Sequence, residues 1–118
     1  MAVYSIEAAL VAWLKAAGFE AAQLMQADRR GVFVTVERVG GGVDDLIDRP
    51  SVAFQIWGDT MEEAMQAALS LRALLLTGTL PDGVSACFID SGPYPFVDPE
   101  TRRPRYQIVV DLASQLYI

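Results

Sequence analysis

A strand pattern runs directly into a helix pattern in the central part of the chain. Over Val52–Trp57 apolar residues alternate with a mixed set, which predicts a strand with one apolar face. Thr60 and Glu63 are spaced as a capping box, in which each side chain accepts a hydrogen bond from the other residue's amide, so a helix is predicted to begin there. Gly78 offers a left-handed turn that would end this helix. Its predicted apolar face comprises Met61, Ala64, Met65, Ala68, Leu71, Leu75 and Leu76.

The N-terminal third predicts another helix and then a strand. Ser5 is a suitable N-cap, and apolar residues recur after it at helical spacing as far as Gly18. Phe19–Asp28 follows neither the helical nor the strand period, so only a short extended or irregular link is predicted there. Val32–Val39 alternates and is rich in β-branched residues, which predicts an amphipathic strand that ends near Gly40.

Glycines and acidic residues separate this strand from the next one. Three consecutive glycines at 40–42 are followed by Val43–Pro50, which holds an apolar pair, Leu46 and Ile47, among charged residues. This composition predicts a long mobile loop at the tip of a hairpin, suited to making contacts and expected to become ordered on assembly. The charged residues of the predicted loop are Asp44, Asp45, Asp48 and Arg49.

The C-terminal third predicts two more strands, Val84–Ile89 and Tyr106–Leu112, with a proline-rich segment between them. The prolines are predicted to interrupt regular structure. The predicted order is therefore helix, two strands, helix, two strands, in a single domain over residues 1–118. This order predicts an α+β fold, with an antiparallel sheet of about four strands and both helices packed mainly on one face.

One layer of helices cannot cover both faces of such a sheet. Phe33, Trp57 and Phe88 are aromatic residues on predicted strands, and they either pack in the core or are covered by a partner. Arg72 falls within the apolar arc of the central helix, where it either pairs with a carboxylate or extends past the sheet edge to water. Both pairs of interpretations remain open at this stage.

Composition narrows the functional classes. With 53% hydrophobic and 20% charged residues, the chain can form one compact core. The net charge of −6 argues against a surface that follows the DNA backbone. The single cysteine, Cys87, allows neither an internal disulfide nor a cysteine zinc site. No apolar run approaches the roughly 20 residues that span a bilayer, and no signal-peptide pattern is present, so a soluble chain that is not exported is expected.

No motif in the sequence carries catalytic chemistry. The chain has no histidine to act as a base beside a nucleophile. The acidic residues at 44–48 lack the spacing of a calcium loop, and the glycines at 40–42 are followed by neither Lys-Ser nor a helix, as a phosphate-binding loop would require. We therefore predict no enzymatic activity, no metal site and no cofactor.

The segment Tyr94–Arg105 carries opposite charges on a stretch that its prolines are predicted to keep extended and outside any sheet. Its arginines are predicted to pair with the acidic residues at 44–48 of a neighbouring copy, with two aromatic residues as the apolar anchor. In the alternative interpretation, the acidic residues of the segment satisfy the arginines of their own loop. The predicted interface residues here are Tyr94, Phe96, Asp98, Glu100, Arg102, Arg103 and Arg105.

Four short sequence segments, together with the predicted order of helices and strands, carry a family resemblance. They are the strand Arg49–Gly58 with the Ala- and Leu-rich helix after it, the turn Gly92–Pro93, the segment Asp98–Thr101, and the segment Arg103–Gln107, which leads into the last strand. On these residues the chain resembles the tail terminator proteins of long-tailed bacteriophages. The resemblance extends over Ser5–Leu112.

The resemblance implies a structural virion protein at the junction of tail and head, assembled in the host cytoplasm. Such subunits form a ring, usually of six copies, that caps the tail tube, stops its polymerisation and joins it to the head. The implied partners are other copies of the chain, the major tail tube protein and a head-side connector protein, while DNA passes through without sequence-specific binding. The alternative is a stand-alone α+β ligand-binding or regulatory domain, which could be a dimer. A pocket of convergent polar groups would favour that alternative, whereas a charged self-complementary surface favours the ring.

Overall fold

The computed structural model describes residues 2–26 and 28–118 and shows an α+β fold. Five strands form one sheet in the order β1-β2-β3-β5-β4, in which the short β1 is parallel to β2 and the other pairs are antiparallel. The predicted fold class is confirmed. Among the described residues, no helix is long and apolar enough to cross a membrane. The elements are α1 (Ile6–Ala16), β1 (Ala21–Ala22), β2 (Phe33–Asp44), β3 (Ile47–Trp57), α2 (Met61–Thr77), β4 (Val84–Pro95) and β5 (Arg105–Ser114).

The core lies between the sheet and the two helices, which pack on the same face. Alternate residues of β2, β3 and β5 point into it, as the sequence alternation predicts for β3. Complete burial of a Val, Leu, Ile or Phe side chain contributes about 1.5–3 kcal/mol of transfer free energy to folding. The fully buried members are Leu10, Leu14, Val34, Val36, Val52, Phe54, Ile56, Ala68, Leu71, Ile108 and Val110.

The buried stripe of α2 is narrower than the predicted apolar face. It comprises Ala64, Ala68, Leu71 and Leu75, a spacing that keeps one line of the helix against the sheet. Leu76, one residue further round the helix, is exposed. Arg72 is also exposed and, in the part of the chain that the structure describes, forms no ion pair, in agreement with the interpretation that it extends to water.

The capping box at the start of α2 is present in a modified form. The Glu63 amide donates to Thr60 Oγ1 at 3.1 Å, while the Glu63 carboxylate accepts from the amide of Asp59 at 3.1 Å, one residue before the predicted donor. The predicted left-handed turn at Gly78 is wrong, because its φ of −77° and ψ of 163° are those of extended backbone. Glycine fits there for a different reason: a Cβ would lie 2.6 Å from the carbonyl oxygen of Leu74.

We expect Thr60→Ala to lower the free energy of unfolding by about 1 kcal/mol, because the Glu63 amide loses its acceptor at the helix N-terminus. Urea unfolding of the two proteins measures the difference. Thr60→Ser keeps the hydroxyl and is the matched control, which should retain most of the stability. Equal midpoints for the alanine variant and the native chain would show that the cap does not stabilise α2.

The glycine-rich stretch is paired strand, so the predicted long loop is wrong. Pairing of β2 with β3 continues from Gly41 opposite Pro50 to Asp44 opposite Ile47. Gly41 makes this possible, because its φ is +91° and a Cβ would lie 2.0 Å from the carbonyl oxygen of Arg49. A glycine of positive φ just after the register shift between Arg38 and Gly40 therefore supports pairing here, although a run of glycines in sequence is typical of a loop. Ordering of this region on assembly stays a prediction.

β4 is longer than predicted, because it continues beyond Ile89 as far as Pro95. It lies at the edge of the sheet and pairs only with β5, so a residue without an amide hydrogen can be accommodated on its outer side. The ladder shifts register on both sides of Ser91, which is typical of bulged edge strands. The prediction that residues 94–105 lie outside any sheet is wrong at both ends, since Tyr94 and Arg105 are strand residues.

Candidate interaction surfaces

The sheet face opposite the helices, called here the second face, is covered by loops at one end only. At that end Phe33 and Trp57 are buried, with their rings stacked at 5.7 Å between centroids. Arg29 and Arg103 lie over these rings from the loops before β2 and before β5. Towards the other end Phe88 is 71% exposed. Of the three aromatic residues on strands, Phe33 and Trp57 therefore belong to the interior, whereas Phe88 does not.

Three arginines and three aromatic rings form one continuous set of contacts at the covered end, called here the stack, in which Arg103 lies over both Phe33 and Trp57. The guanidinium carbons lie between 4.5 and 5.7 Å from the ring centroids. A planar guanidinium over an aromatic face contributes about 0.5–2 kcal/mol, and more as water is excluded. This stack fastens the loop before β5 to the sheet. Its members are Arg29, Phe33, Arg103, Trp57, Arg105 and Phe96.

Arg105 is the most enclosed arginine of the stack, with 8% of its surface exposed. Its Nε donates to the carbonyl oxygen of Phe96 at 2.6 Å, and its Nη1 donates to Gln55 Oε1 at 3.3 Å. Burial lowers the pKa of the guanidinium, and the Asp98 carboxylate opposes that shift. Arg105 therefore holds its own loop. The sequence interpretation had required it to project towards a neighbouring copy, and it does not.

The other basic residues predicted for the interface differ in their exposure. Arg103 is half-buried, and its Nη2 donates to the carbonyl oxygen of Arg29 at 2.7 Å. Arg102 is exposed and forms no ion pair among the described residues. Together with Arg30 it lines a cleft of about 380 Å³ at this end of the sheet. At this end of the sheet, Arg102 and Arg30 are thus cations that a neighbour could reach.

Asp98 organises its own loop through hydrogen bonds. Its Oδ1 accepts from the Glu100 amide at 3.1 Å, and its Oδ2 accepts from the Thr101 hydroxyl at 2.8 Å. The Thr101 hydrogen bond, followed by the backbone bond, lowers the pKa of the Asp98 carboxyl below its ordinary value. Within the described part of the chain, neither Asp98 nor Glu100 forms an ion pair with an arginine of the same loop.

Tyr94 belongs to a row of hydrogen-bonded side chains across the second face. Gln55 Nε2 donates to Gln107 Oε1 at 3.2 Å, and Gln107 in turn donates to the Tyr94 hydroxyl. Phe96, whose ring lies edge-on to Tyr94 at 6.1 Å, is 40% exposed. Of the two predicted apolar anchors, Phe96 is therefore the more accessible, and the exposed Val97 beside it extends the apolar surface.

The acidic residues at 44–48 lie at the opposite end of the sheet, at the tip of the hairpin that β2 and β3 form. Asp48 is half-buried and accepts two hydrogen bonds from the Arg38 guanidinium, at 2.6 and 2.8 Å. Asp44 and Asp45 are exposed, and the only ion pair either makes among the described residues joins Asp44 to Arg49 at 3.8 Å. Only the first two acidic residues of the predicted set are therefore available to a neighbour.

Two non-glycine residues at this turn have left-handed backbone. Asp45 has a φ of 50° and Leu46 a φ of 65°, as a two-residue turn between antiparallel strands requires. Such turns favour Asn-Gly, and a leucine in this conformation costs about 1–2 kcal/mol. Leu46 is 81% exposed, so its own fold offers little packing to offset the cost. A strained and exposed apolar residue points to a contact outside its own chain.

We expect Leu46→Gly to raise the free energy of unfolding by about 1 kcal/mol, because glycine adopts a positive φ without strain. The same change should weaken self-association, because it removes the exposed side chain. Unfolding in urea and sedimentation velocity measure the two effects. Leu46→Asn is the matched control, since asparagine tolerates the left-handed conformation and is polar. A loss of stability in the glycine variant would contradict the strain at this position.

A larger cleft lies elsewhere, between α1, the segment after β1, and β2. It has a volume of about 1010 Å³, and Glu7, Lys15 and Glu37 are among the polar residues that line it. Thr35 and Gln55, also in its wall, already take part in hydrogen bonds across the second face. Among the described residues, no group of three or more His, Cys, Asp or Glu side chains is placed to hold a metal ion.

The exposed groups thus form two different surfaces at opposite ends of a molecule 42 Å long. The tip surface comprises Val43, Asp44, Asp45, Leu46 and Ile47. The loop surface comprises Arg30, Phe96, Val97 and Arg102. The sequence analysis did not identify Val43 or Val97, because it assigned both to segments without a strand or helix period, where a hydrophobic pattern does not predict exposure. Compared with protein-family models and with curated proteins, the sequence matches none.

Proposed function

We propose that the chain is a structural virion protein of the tail-terminator kind, whose copies associate head to tail in a ring. The observation that carries this proposal is the pair of unlike surfaces at opposite ends of the sheet: the tip surface is acidic and apolar, and the loop surface is basic and apolar. Two unlike patches support heterologous contacts, which close into rings when the rotation between copies allows it.

The two surfaces complement each other in charge and in apolar content. Asp44 and Asp45 of one copy would face Arg30 and Arg102 of the next. Exposed ion pairs contribute only about 0–1 kcal/mol each, so they set orientation more than strength. Burial of Leu46 against the exposed Phe96 and its apolar neighbour would supply the anchor that charges alone lack.

In this role the ring caps the tail tube, stops its polymerisation and joins it to the head. Its partners are further copies of the chain, six being the usual number, the major tail tube protein and a head-side connector protein. The net charge of −6 suits a ring through which DNA passes without sequence-specific binding, because like charges do not hold the DNA in transit. The site of action is the tail–head junction of the virion, after assembly in the host cytoplasm.

The experiment measures the mass of the purified chain by sedimentation and images it by electron microscopy. The proposal expects closed rings, and it expects tubes of the tail protein encoded by a neighbouring gene to stay short when the rings are added. Arg102→Glu should weaken ring formation and leave unfolding in urea unchanged, since Arg102 is exposed. Asp44→Arg in the same chain should restore it, and Lys15→Glu is the control. Monomers at every concentration, or tubes of unaltered length, would overturn the proposal.

A ligand-binding domain is the second candidate, and the cleft beside α1 is the observation that favours it. Its polar lining includes Glu7 and Lys15, side chains of opposite charge on one helix. A small molecule held there should raise the melting temperature of the native chain and leave its sedimentation unchanged. Lys15→Ala should abolish that rise if the cleft is the site. A library screen without any stabilising compound would remove this candidate.

A further inference from the structure

The free edge of β2 begins where β1 ends. β1 pairs with β2 only at Val34 and Thr35, and the chain leaves the sheet after Ala22. The Val34 amide donates to the Glu20 carbonyl oxygen at 2.8 Å, on the β1 side of the strand. Backbone groups of alternate residues point to the same edge, and the pairing with β3 is regular as far as Arg38, so the Arg38 amide and carbonyl point to this side as well. Among the described residues they have no strand partner.

The open stretch of this edge is short. The ladder of β2 with β3 shifts register between Arg38 and Gly40, and the Arg38 guanidinium donates to the carbonyl oxygens of Gly40 and Gly41. A bulge and a charged side chain at this point protect the further edge from pairing with a long strand. The Val36 carbonyl and the backbone groups of Arg38 remain available to a short segment.

α1 lies beside this edge and forms the other wall of a groove. Glu7, Val11 and Lys15 follow one another at intervals of four on one side of α1, and they line the cleft of about 1010 Å³ together with Val36 and Glu37 of β2. This cleft is called here the β2 groove. An open strand edge within a cleft suits the addition of a peptide strand, in which main-chain hydrogen bonds provide affinity and contacts with alternate side chains provide specificity.

The β2 groove also offers apolar surface to a bound segment. Ala21 and Ala22 lie at its β1 end, and Leu24 and Met25 continue its wall. Leu24 is 80% exposed, and a methionine adapts its shape to different side chains. Together with Val11 on α1, these residues can hold the apolar side chains of an extended peptide, so the groove is not restricted to a purely polar ligand.

The two ends of the β2 groove differ in charge. Only a short link joins α1 to β1, so Lys15 lies at the β1 end. Glu7 lies at the other end, near Arg38, whose pKa is raised by the hydrogen bond to Asp48 and, to a smaller extent, by the charge of Glu7. Arg38 is neutralised by Asp48, with hydrogen bonds of 2.6 and 2.8 Å, so the carboxylates of Glu7 and the exposed Glu37 determine the charge at this end.

These features define the ligand as a short extended peptide with opposite charges at its two ends. The stretch of β2 from Val34 to Arg38 covers about 13 Å, at about 3.3 Å per residue, so a basic residue and a carboxylate of the peptide are about four residues apart. In a segment antiparallel to β2, which is the commoner pairing, the basic residue comes first. A free C-terminal carboxylate or an acidic side chain then lies at the β1 end.

We infer that the β2 groove binds a short extended segment of a partner protein, antiparallel to β2, with a basic residue beside Glu7 and Glu37 and a carboxylate beside Lys15. This inference goes beyond the ring proposed above and does not depend on it. The tip and loop surfaces lie at the two ends of the sheet, whereas the groove lies along its β1 side, so contacts within the ring leave the groove free.

Peptide selection tests the inference directly. A displayed library of random eight-residue peptides with free C-termini is selected on the immobilised native chain. Enriched peptides should carry Lys or Arg about four residues before a carboxylate, with apolar residues between them. Fluorescence anisotropy of the best synthetic peptide should show about five- to tenfold weaker binding to the Glu37→Lys and Lys15→Glu chains. Glu62→Lys, the same change at an exposed position on α2, is the matched control and should bind as the native chain does.

Methylation of the peptide backbone distinguishes strand addition from contacts of side chains alone. A methyl group on an amide that faces β2 removes a hydrogen-bond donor, so the affinity should fall at least about tenfold. Methylation of the alternate amides, which face away from β2, should change the affinity by less than about threefold. In the complex, amide exchange followed by NMR should show new protection of the Arg38 amide, because that amide gains an acceptor.

The outcomes separate the groove from the ring. The absence of any enriched peptide, or binding that survives methylation at every amide, overturns the inference. Equal affinity for the native, Glu37→Lys and Lys15→Glu chains places the peptide elsewhere and also overturns it. Protection of the Arg38 amide that rises with the concentration of the native chain alone would identify a second copy as the occupant, with the same consequence. The Arg102→Glu chain should bind the peptide unchanged, so a chain that forms no ring but binds the peptide overturns the ring alone.

Discussion

Arg105→Ala is expected to lower the free energy of unfolding by about 3 kcal/mol or more. The guanidinium lies 4.8 Å from the Trp57 ring centroid and 4.5 Å from that of Phe96, and such contacts contribute about 0.5–2 kcal/mol each. Its loss also leaves the carbonyl oxygen of Phe96 without its donor, at about 1–3 kcal/mol if that oxygen stays buried, and leaves Gln55 Oε1 with only the 3.5 Å hydrogen bond from the Thr35 hydroxyl. Urea unfolding, followed by tryptophan fluorescence and by circular dichroism, measures the change.

Two variants control this experiment. Arg105→Lys keeps the positive charge but loses the planar fork that stacks and donates twice, so it should recover little of the stability. Arg102→Ala, on the exposed part of the same loop, should change the free energy of unfolding by no more than about 0.5 kcal/mol. If lysine restores full stability, or if the Arg102 change is equally costly, the stacked arginines do not fasten the loop.

The sequence was sufficient to predict those elements that depend on residues close together in the chain. The strand around Phe54 and the N-cap at Thr60 follow from local periodicity and from a spacing of three residues, and the structure confirms both. The α+β class follows from the order of such elements. The sequence also predicted correctly that α2 ends at Gly78. The backbone there differs from the prediction, because a close contact with Leu74, and not a positive φ, favours glycine.

Sequence was insufficient where strand pairing decides the outcome. A run of glycines and a run of prolines both predict loops locally, but pairing with β3 and β5 extends β2 to Asp44 and β4 to Pro95. The charged residues were misjudged for the same reason. Arg38 reaches Asp48 only because the hairpin brings the two onto one face, and Arg105 is buried only because loops cover its end of the sheet. Residue type alone does not distinguish a buried arginine from an exposed one.

Two neighbouring substitutions in the glycines of β2 test whether the pairing of β2 with β3 depends on the conformation of Gly41. Gly41→Ala is expected to lower the free energy of unfolding by about 2–4 kcal/mol. Its φ of +91° is unfavourable for alanine by about 1–2 kcal/mol, and the new Cβ would lie 2.0 Å from the Arg49 carbonyl oxygen, so the backbone of β3 must move. Gly42→Ala should leave stability unchanged or raise it by up to about 1 kcal/mol, because its Cβ meets nothing within 4 Å.

Urea unfolding measures both free energies, and amide hydrogen exchange shows where protection is lost. In the Gly41→Ala chain the loss should be largest in residues 41–50, the part of the hairpin beyond the kink, while α2 and the β3–β5 pairs near Phe54 keep their protection. Since Leu46 lies at the end of this hairpin, the same variant should also weaken self-association, even under conditions in which the core remains folded. Equal effects of the two alanines would show that residues 40–42 are interchangeable and that the hairpin does not depend on the conformation of Gly41.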